Sequence, residues 1–539
     1  MAQMQSPTRQ VDAVVVGAGF SGLYGVYRLR QQGLEVQAFE QGGGVGGTWY
    51  WNRYPGARVD SQSYIYQYWF CDKLLNDWDW SERFPAQAET ERYLNHVADR
   101  YDLRSAFQFN TRVTAAHWDQ PQRCWVVGTE RGETLGCRFL LMCGGGLSVP
   151  LHPPFAGHER FKGQVLHTSR WPEAGVHYAG KRVGVVGTGA TGIQVIQTIA
   201  AEVAHLTVFQ RTPNYAIPMR NPRFDDATRA AWRERYPMLK QRVQQTFAGF
   251  DYDFDSREFF DIEPAERHEL LETLWQDGSL NLWIGGFSGV FFDEKVNAEV
   301  SAFVREKIRA RIRDPRIAAK LVPTDHGFGT RRVPLETGYF DVYNRDNVSL
   351  VDLRETPIEC LTERGVQTAA GEIPLDLLIL ATGFDAGTGA LTGVDIRGRE
   401  GLSLKEDWAS RGIHTTMGLQ VHGYPNLFMT MGPFSPAAAF CNVPTCVQQQ
   451  VDWIGDCIGF LRRRGDSTIE PGAEIEAKWI AQHEELAKAT LVYKTKSWYM
   501  GSNVEGKERR MLPFVGGAPV YRAACEEVKT SGYAGFVTG

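Results

Sequence analysis

Three observations predict an α/β protein with two parallel-sheet cores. Residues 11–41 and 181–212 repeat one pattern: a β-branched strand, a glycine-rich turn, an amphipathic helix and a second strand. Each turn carries GxGxxG, as Gly17, Gly19 and Gly22 and then as Gly187, Gly189 and Gly192. Each unit is followed later by a strand running into another glycine turn, residues 138–143 before Gly144 and residues 375–381 before Gly383. A lone GxGxxG is weak. Two of them, each set between a strand and a helix with a second strand at the right distance, mark dinucleotide-binding βαβ units.

The second strand of each unit discriminates between ligands. In the first it ends at Glu40, 18 residues after Gly22. A carboxylate there accepts hydrogen bonds from adenosine-ribose hydroxyls and repels a 2′-phosphate, so this site is expected to hold FAD or NAD. In the second unit the strand ends at Gln210, followed by Arg211 and Thr212. A guanidinium and a hydroxyl suit a 2′-phosphate, so this site is expected to hold NADPH. Just after Glu40, residues 42–69 interleave glycines with Trp49, Tyr50, Trp51 and Tyr54, and add Arg53, Arg58 and Asp60. Flat apolar side chains beside a dinucleotide turn could wall a flavin ring. Two dinucleotides in one chain imply hydride transfer between them.

From Asn221 to about Gly327 the texture becomes helical, with apolar residues at helical spacing in RHELLETLWQ and VSAFVREKIRARIRDPRIAAKL. A further amphipathic helix is predicted over 472–491. The resulting expectation is two Rossmann-type dinucleotide-binding domains, FAD and NADPH, with a helical insertion. The FAD domain would comprise residues 1–147 and 384–539, the NADPH domain 148–220 and 328–383, and the insertion 221–327.

Composition narrows the function. The 539 residues suffice for about three domains, and 43% hydrophobic with 22% charged residues is ordinary globular usage. A net charge of −5 lacks the basic footprint of a nucleic-acid binder. The polar first ten residues and the short apolar run ending at Gly17 give no secretory signal, and no stretch approaches the ~18 apolar residues of a spanning helix. Nine scattered cysteines without a CxxC pair fit reduced thiols in a cytoplasmic, metal-free protein.

Between the two units lies FKGQVLHTSRWP, which places Phe161, Gly163, His167, Trp171 and Pro172 in the order FxGxxxHxxxWP. On these residues the chain resembles the Baeyer–Villiger monooxygenases, above all those that oxidise cyclohexanone. The likeness continues through GTWYWNRYPGA at 47–57, YFDVYNRDNV at 339–348, ATGFD at 381–385 and SWYMGSNVEGK at 497–507. The resemblance implies FAD and NADPH as cofactors, with a small-molecule ketone and O2 as partners. Through a C4a-peroxyflavin and a tetrahedral adduct, an oxygen atom would enter beside the carbonyl to give an ester or lactone. Cyclic ketones are the expected substrates, with sulfide oxidation as a side activity and a monomer or weak homo-oligomer as the assembly.

The resemblance also assigns residues. Arg332 in GTRRVPL matches the active-site arginine, and Asp60 the carboxylate that orients it. Thr48, Trp49, Tyr50, Trp51, Asp60, Tyr66 and the backbone of Val113 look like the FAD-contacting set; Phe20, Arg58, Arg332 and Val443 are also expected at the cofactors. Thr188, Gly189, Ala190, Thr191, Gly192, Ile193 and Gln194, with Arg211, Thr212, Arg331 and Trp498, look like the NADPH set. His167 falls in a linker and is assigned to domain coupling. Arg331 stands where relatives carry lysine, and Tyr339-Phe340 where they often carry two tyrosines. Ala437, Ala438 and Ala439 in the substrate-lining loop 431–444 leave room for a ring, and Gly501 and Gly506 are candidate hinges near Trp498.

Two competing readings make different demands. A nitrogen- or sulfur-oxygenating flavin monooxygenase carries Phe or Tyr near the position of Trp171-Pro172. A non-catalytic NADPH-binding protein would have shed Arg332, Asp60 or one glycine set, and all are present.

Overall fold

The computed structural model describes residue 7, residues 9–437 and residues 440–539. Its first sheet has eight strands. Seven run in the spatial order Asp395–Arg397, Val113–Asp119, Cys124–Thr129, Thr134–Met142, Gln10–Val16, Val36–Phe39, Phe107–Gln108, and Leu427–Met429 pairs with the far end of Thr134–Met142. The second sheet is wholly parallel, in the order Val348–Asp352, His205–Gln210, Arg182–Val186, Leu377–Leu380, Gln164–His167. Thus the chain enters the second sheet after Met142 and returns to the first after Leu380.

Burial explains the strands. A parallel sheet covered on both faces needs near-continuous apolar runs, and Ala13, Val14, Val15, Val183, Val185, Leu377 and Ile379 have no accessible surface. In both units the first strand stops at a glycine with left-handed φ, +109° at Gly17 and +108° at Gly187. A Cβ there would lie 2.5 Å from Cys143 O or Ala381 O. The backbone therefore turns tightly against the end of the neighbouring strand before the helices Phe20–Arg30 and Ala190–Ile199 begin.

Between the second sheet's strands His205–Gln210 and Val348–Asp352 the chain makes the helices Asp226–Gln245, Pro264–Asp277, Glu294–Arg309 and Pro315–Leu321, with the short turns Phe259–Asp261, Asn281–Ile284 and Gly289–Phe292 between. Aspartates set three of the starts: Asp225 accepts from Thr228 N (2.8 Å), Asp293 from Lys295 N (2.7 Å) and Asp314 from Arg316 N (2.8 Å). The periodic stretch 300–321 is broken after Arg309, because Asp314 and Pro315 start a new helix. Trp283, Val300, Val304 and Ile308 share one apolar core with Val183, Val208 and Leu377, so the helices roof the second sheet. The tail helix is Ala473–Lys488.

The segment that follows the first βαβ unit is pinned to the helix of the second. Tyr54 Oη donates to Gln194 Oε1 (2.8 Å), and Gln194 Nε2 donates to Arg58 O (3.2 Å). Between them Gly56, at φ +82°, presses on the helix Ala190–Ile199.

One expectation is corrected. Not all thiols are free: Cys441 and Cys446 form a disulfide, their Cα atoms 6.4 Å apart. The coil leading into the helix Val443–Arg464 brings residues five apart together, a spacing that a search for CxxC misses. Among the described residues no helix is long and apolar enough to cross a membrane.

A Cβ at Gly56 would lie 2.2 Å from Thr198 Oγ1 and 2.6 Å from Gln194 O. Gly56→Ala should therefore cost about 2 kcal/mol or more of stability, read as a lower denaturant midpoint; an unchanged midpoint would show that this contact yields freely.

Candidate active site

Asp60 and Arg332, 272 residues apart, form an ion pair through Arg332 Nη2 and Asp60 Oδ2. The Arg332 guanidinium lies 5.2 Å from the centroid of the Trp283 ring. Their side chains keep 19% and 24% of their surface accessible, while Trp283, Phe440, Tyr499 and Tyr66 around them are below a tenth. The pair is therefore partly accessible and edged by buried rings. Burial works against the arginine's charge, but Asp60 beside it, together with Tyr499 and Tyr252, outweighs burial and holds its pKa above the ordinary value. A guanidinium so placed keeps its charge throughout any reaction.

The first glycine turn assembles one flank. Glu40, buried, accepts from Ala18 N (2.8 Å) and Gly42 N (2.7 Å), and burial raises its pKa. Thr48–Trp51 forms a single helical turn against the glycine turn, with Gly47 so close that a Cβ would lie 2.7 Å from Gly19 Cα. Tyr50 Oη accepts from Gly43 N (3.0 Å), and Arg170 covers the Trp51 ring at 4.3 Å. Trp49 Nε1 donates to Tyr66 Oη (3.3 Å), and the Tyr66 ring meets Phe20 edge-on at 5.3 Å. Burial pushes the Tyr66 phenol up; Asp60 and Arg332 both act on it, which places this flank beside the ion pair. Val113 opens its strand opposite Thr129. Arg58 turns to Phe84 O (3.0 Å) and Glu82 (3.5 Å), while its own carbonyl serves Gln194.

The second turn assembles the other flank. A Cβ on Gly189 would meet nothing within 4 Å, so the mouth of this turn is open to a ligand. Thr188 Oγ1 donates to Thr212 O (2.9 Å), fixing the segment that carries Arg211. Thr191 and Gln194 face Tyr54, whereas Ile193 is wholly buried and can offer a ligand only backbone. Arg331 reaches Asp325 only at 3.4 Å, and its buried Nε has no partner among the described residues. Burial lowers its pKa, and the nearby Arg211 lowers it further against the pull of Asp325. Two neighbouring guanidiniums with so little compensation fit an anion such as a 2′-phosphate.

His167 ends a strand of the second sheet, opposite Leu380. Its Nδ1 accepts from Ser169 N (3.1 Å), so Nε2 carries the proton and faces Thr382 Oγ1 at 3.3 Å; that hydroxyl donates to Leu151 O (2.5 Å). The ring thus joins the linker at Leu151 to the turn after Leu380. Burial, and then His152 nearby, lower its pKa to about 4. Gly163 lies against Phe161 and Asp376 O, Trp171 is buried, and Pro172 O accepts from Gly175 N (3.0 Å).

Val443 begins the long helix, and the preceding Asn442 donates to Ile65 O (2.7 Å), tying the loop to the aromatic segment. Of the three small residues expected to line this loop, Ala438 and Ala439 lie outside the described residues. Trp498 packs on Tyr499 at 4.3 Å, and its segment is anchored by Asn503 Nδ2 to Phe384 O (2.7 Å) and Lys507 Nζ to Asp385 (2.7 Å). Sequence reasoning missed Trp283, Phe440 and Tyr499. Tyr499 adjoins Trp498 in a quoted motif, but nothing in the spacing of Trp283 or Phe440 marks them.

Two glycine-turn βαβ units locked through Tyr54 and Gln194 define a two-dinucleotide oxidoreductase, with a charged pair linked to one flank by Tyr66 and to the other by the Arg331–Arg332 step. The chain belongs to the flavin-binding monooxygenases, in their Baeyer–Villiger group. Residues 10–220 match the family described as flavin-binding monooxygenase-like. The chain is 53% identical to an acetone monooxygenase (methyl acetate-forming) of Gordonia sp. (strain TY-5), covering 98% of this chain and 99% of that one. Its structure resembles cyclohexanone monooxygenase from Rhodococcus sp. Phi1 bound to NADP+ (TM-score 0.96, 39% identity, 99% of each chain). It also resembles OTEMO in complex with FAD and NADP (TM-score 0.95, 41% identity, 99% of this chain and 100% of that one).

Folding around a neutral His167 has a pH signature. Its pKa falls from 6.5 to about 4, so between these values the unfolded chain binds more protons. Its contribution to stability is full above pH 6.5 and is lost as pH falls towards 4. Denaturant unfolding at pH 7 and pH 5 should show a smaller pH effect in His167→Gln than in the parent; equal pH effects would contradict the assignment.

Proposed function

We propose that this chain is an FAD- and NADPH-dependent Baeyer–Villiger monooxygenase that converts a ketone to an ester or lactone, and that Arg332 and Asp60 are its catalytic pair. The observation that carries this reading is the part-buried Arg332, held charged by Asp60 and set over the Trp283 ring, between the two glycine-turn units. The Gly17 turn, Glu40, Thr48–Trp51, Tyr66 and Val113 would hold FAD. The open Gly189 turn, Thr188, Thr191, Gln194, Arg211, Thr212, Arg331 and Trp498 would hold NADPH. Bound there, the flavin would supply the activated oxygen that is transferred, with NADPH as the source of electrons.

The protein's own contribution is electrostatic. As the ketone carbon is attacked, negative charge develops on the carbonyl oxygen, and Arg332 stabilises it without giving up a proton. Asp60 keeps the guanidinium in place. Trp283, Phe291, Phe440 and Tyr499 exclude water, which strengthens that interaction and suits a compact ketone, cyclic or short-chain. His167 keeps the linker and the 382 turn in register, and so couples the two nucleotide domains.

Product analysis by mass spectrometry, with isotopic O2, NADPH and a panel of ketones, should show an ester or lactone one labelled oxygen heavier than its ketone. NADPH consumption yielding only hydrogen peroxide across the panel would contradict the reading. Arg332→Ala should keep FAD and still oxidise NADPH, yet form ester at least about 100-fold more slowly; ester formation at the parent rate would remove Arg332 from the chemistry.

A further inference from the structure

Tyr499 has a buried hydroxyl that the fold itself does not use. The residue has no accessible surface, and its Oη has no hydrogen-bond partner among the described residues. A buried phenol without a partner costs free energy, so such groups are retained where a ligand completes them. Its surroundings identify the ligand's position. The Tyr499 ring packs on Phe440 at 5.5 Å, Phe440 on Trp283 at 6.4 Å, and the Arg332 guanidinium lies over Trp283 at 5.2 Å. Tyr499 and Arg332 are close enough for each to act electrostatically on the other, and Asp60 acts on Tyr499 as well.

Resting on the Baeyer–Villiger reading, we propose that Tyr499 is a further catalytic residue, whose hydroxyl donates a hydrogen bond to the ketone's carbonyl oxygen and shares with Arg332 the charge that develops there. A phenol here donates without transferring its proton, and burial, which raises its pKa, keeps it protonated. The backbone holds the donor in place: Tyr499 O accepts from Leu512 N (2.8 Å), and the Trp498 and Tyr499 rings meet edge-on at 4.3 Å. Two donors of different chemistry then converge on one oxygen, which is how an oxyanion site is built.

The test is Tyr499→Phe in the FAD-loaded enzyme, which keeps the ring and its packing, with 2-butanone and cyclohexanone as probes. The expected result is a loss of 10-fold to 1000-fold in kcat/KM for ester formation, lying mainly in kcat. FAD content, NADP+ affinity and the rate of flavin reduction by NADPH should match the parent, and hydrogen peroxide should replace the missing ester. An unchanged kcat/KM overturns the proposal. A slower flavin reduction or weaker NADP+ binding that accounts for the whole loss also overturns it, because the hydroxyl then serves the cofactor. Parent enzyme that forms ester while the variant behaves identically refutes only the role of Tyr499; parent enzyme that forms no ester from any ketone refutes the underlying reading as well.

Discussion

A guanidinium set among aromatic rings needs a carboxylate beside it, and the arrangement of this molecule follows from that constraint. Asp60 lies in the coil that follows the first βαβ unit, whereas Arg332 follows the helical roof of the second sheet. The pair joins a stretch between two strands of the first sheet to one between two strands of the second. Removing one partner of this part-buried pair leaves the other charge poorly compensated, so the ion pair also ties the two segments together. It works alongside the contacts of Tyr54, Gly56 and Gln194 between the two units.

The helical roof does more than close the second sheet. It supplies Trp283, whose ring underlies Arg332 and whose Nε1 donates to Gly329 O (3.1 Å), close to the arginine in sequence. It also supplies Phe291, which meets Phe440 from the loop before the long helix at 5.7 Å. The rings beside the ion pair therefore come from three separate parts of the chain: the roof, the loop before the long helix, and the 498–500 turn. In the proposed reaction, the low polarity of these walls gives the fixed charge of Arg332 its leverage, since the same charge in water would act far more weakly.

What was legible in the sequence was local. The glycine turns, Glu40 and the Arg211–Thr212 step are read from short spacings, because backbone sterics and strand length fix them within about thirty residues. The Asp60–Arg332 pair came from resemblance; no spacing rule connects residues on different domains. Tyr499, Trp283 and Phe440 were not legible, since their significance lies in ring contacts created only when the roof, loop and turn converge. The Cys441–Cys446 bond escaped for a related reason: it depends on the path of the coil into the helix, and an odd cysteine count argued the other way.

A double-mutant cycle on kcat/KM for ester formation tests the central claim most directly, using Asp60→Ala, Arg332→Ala and the two combined. If Asp60 acts by holding Arg332, the combined variant loses no more than Arg332→Ala alone, and the coupling accounts for nearly the whole effect of Asp60. Fully additive losses would contradict the account, because the two residues would then serve the reaction independently.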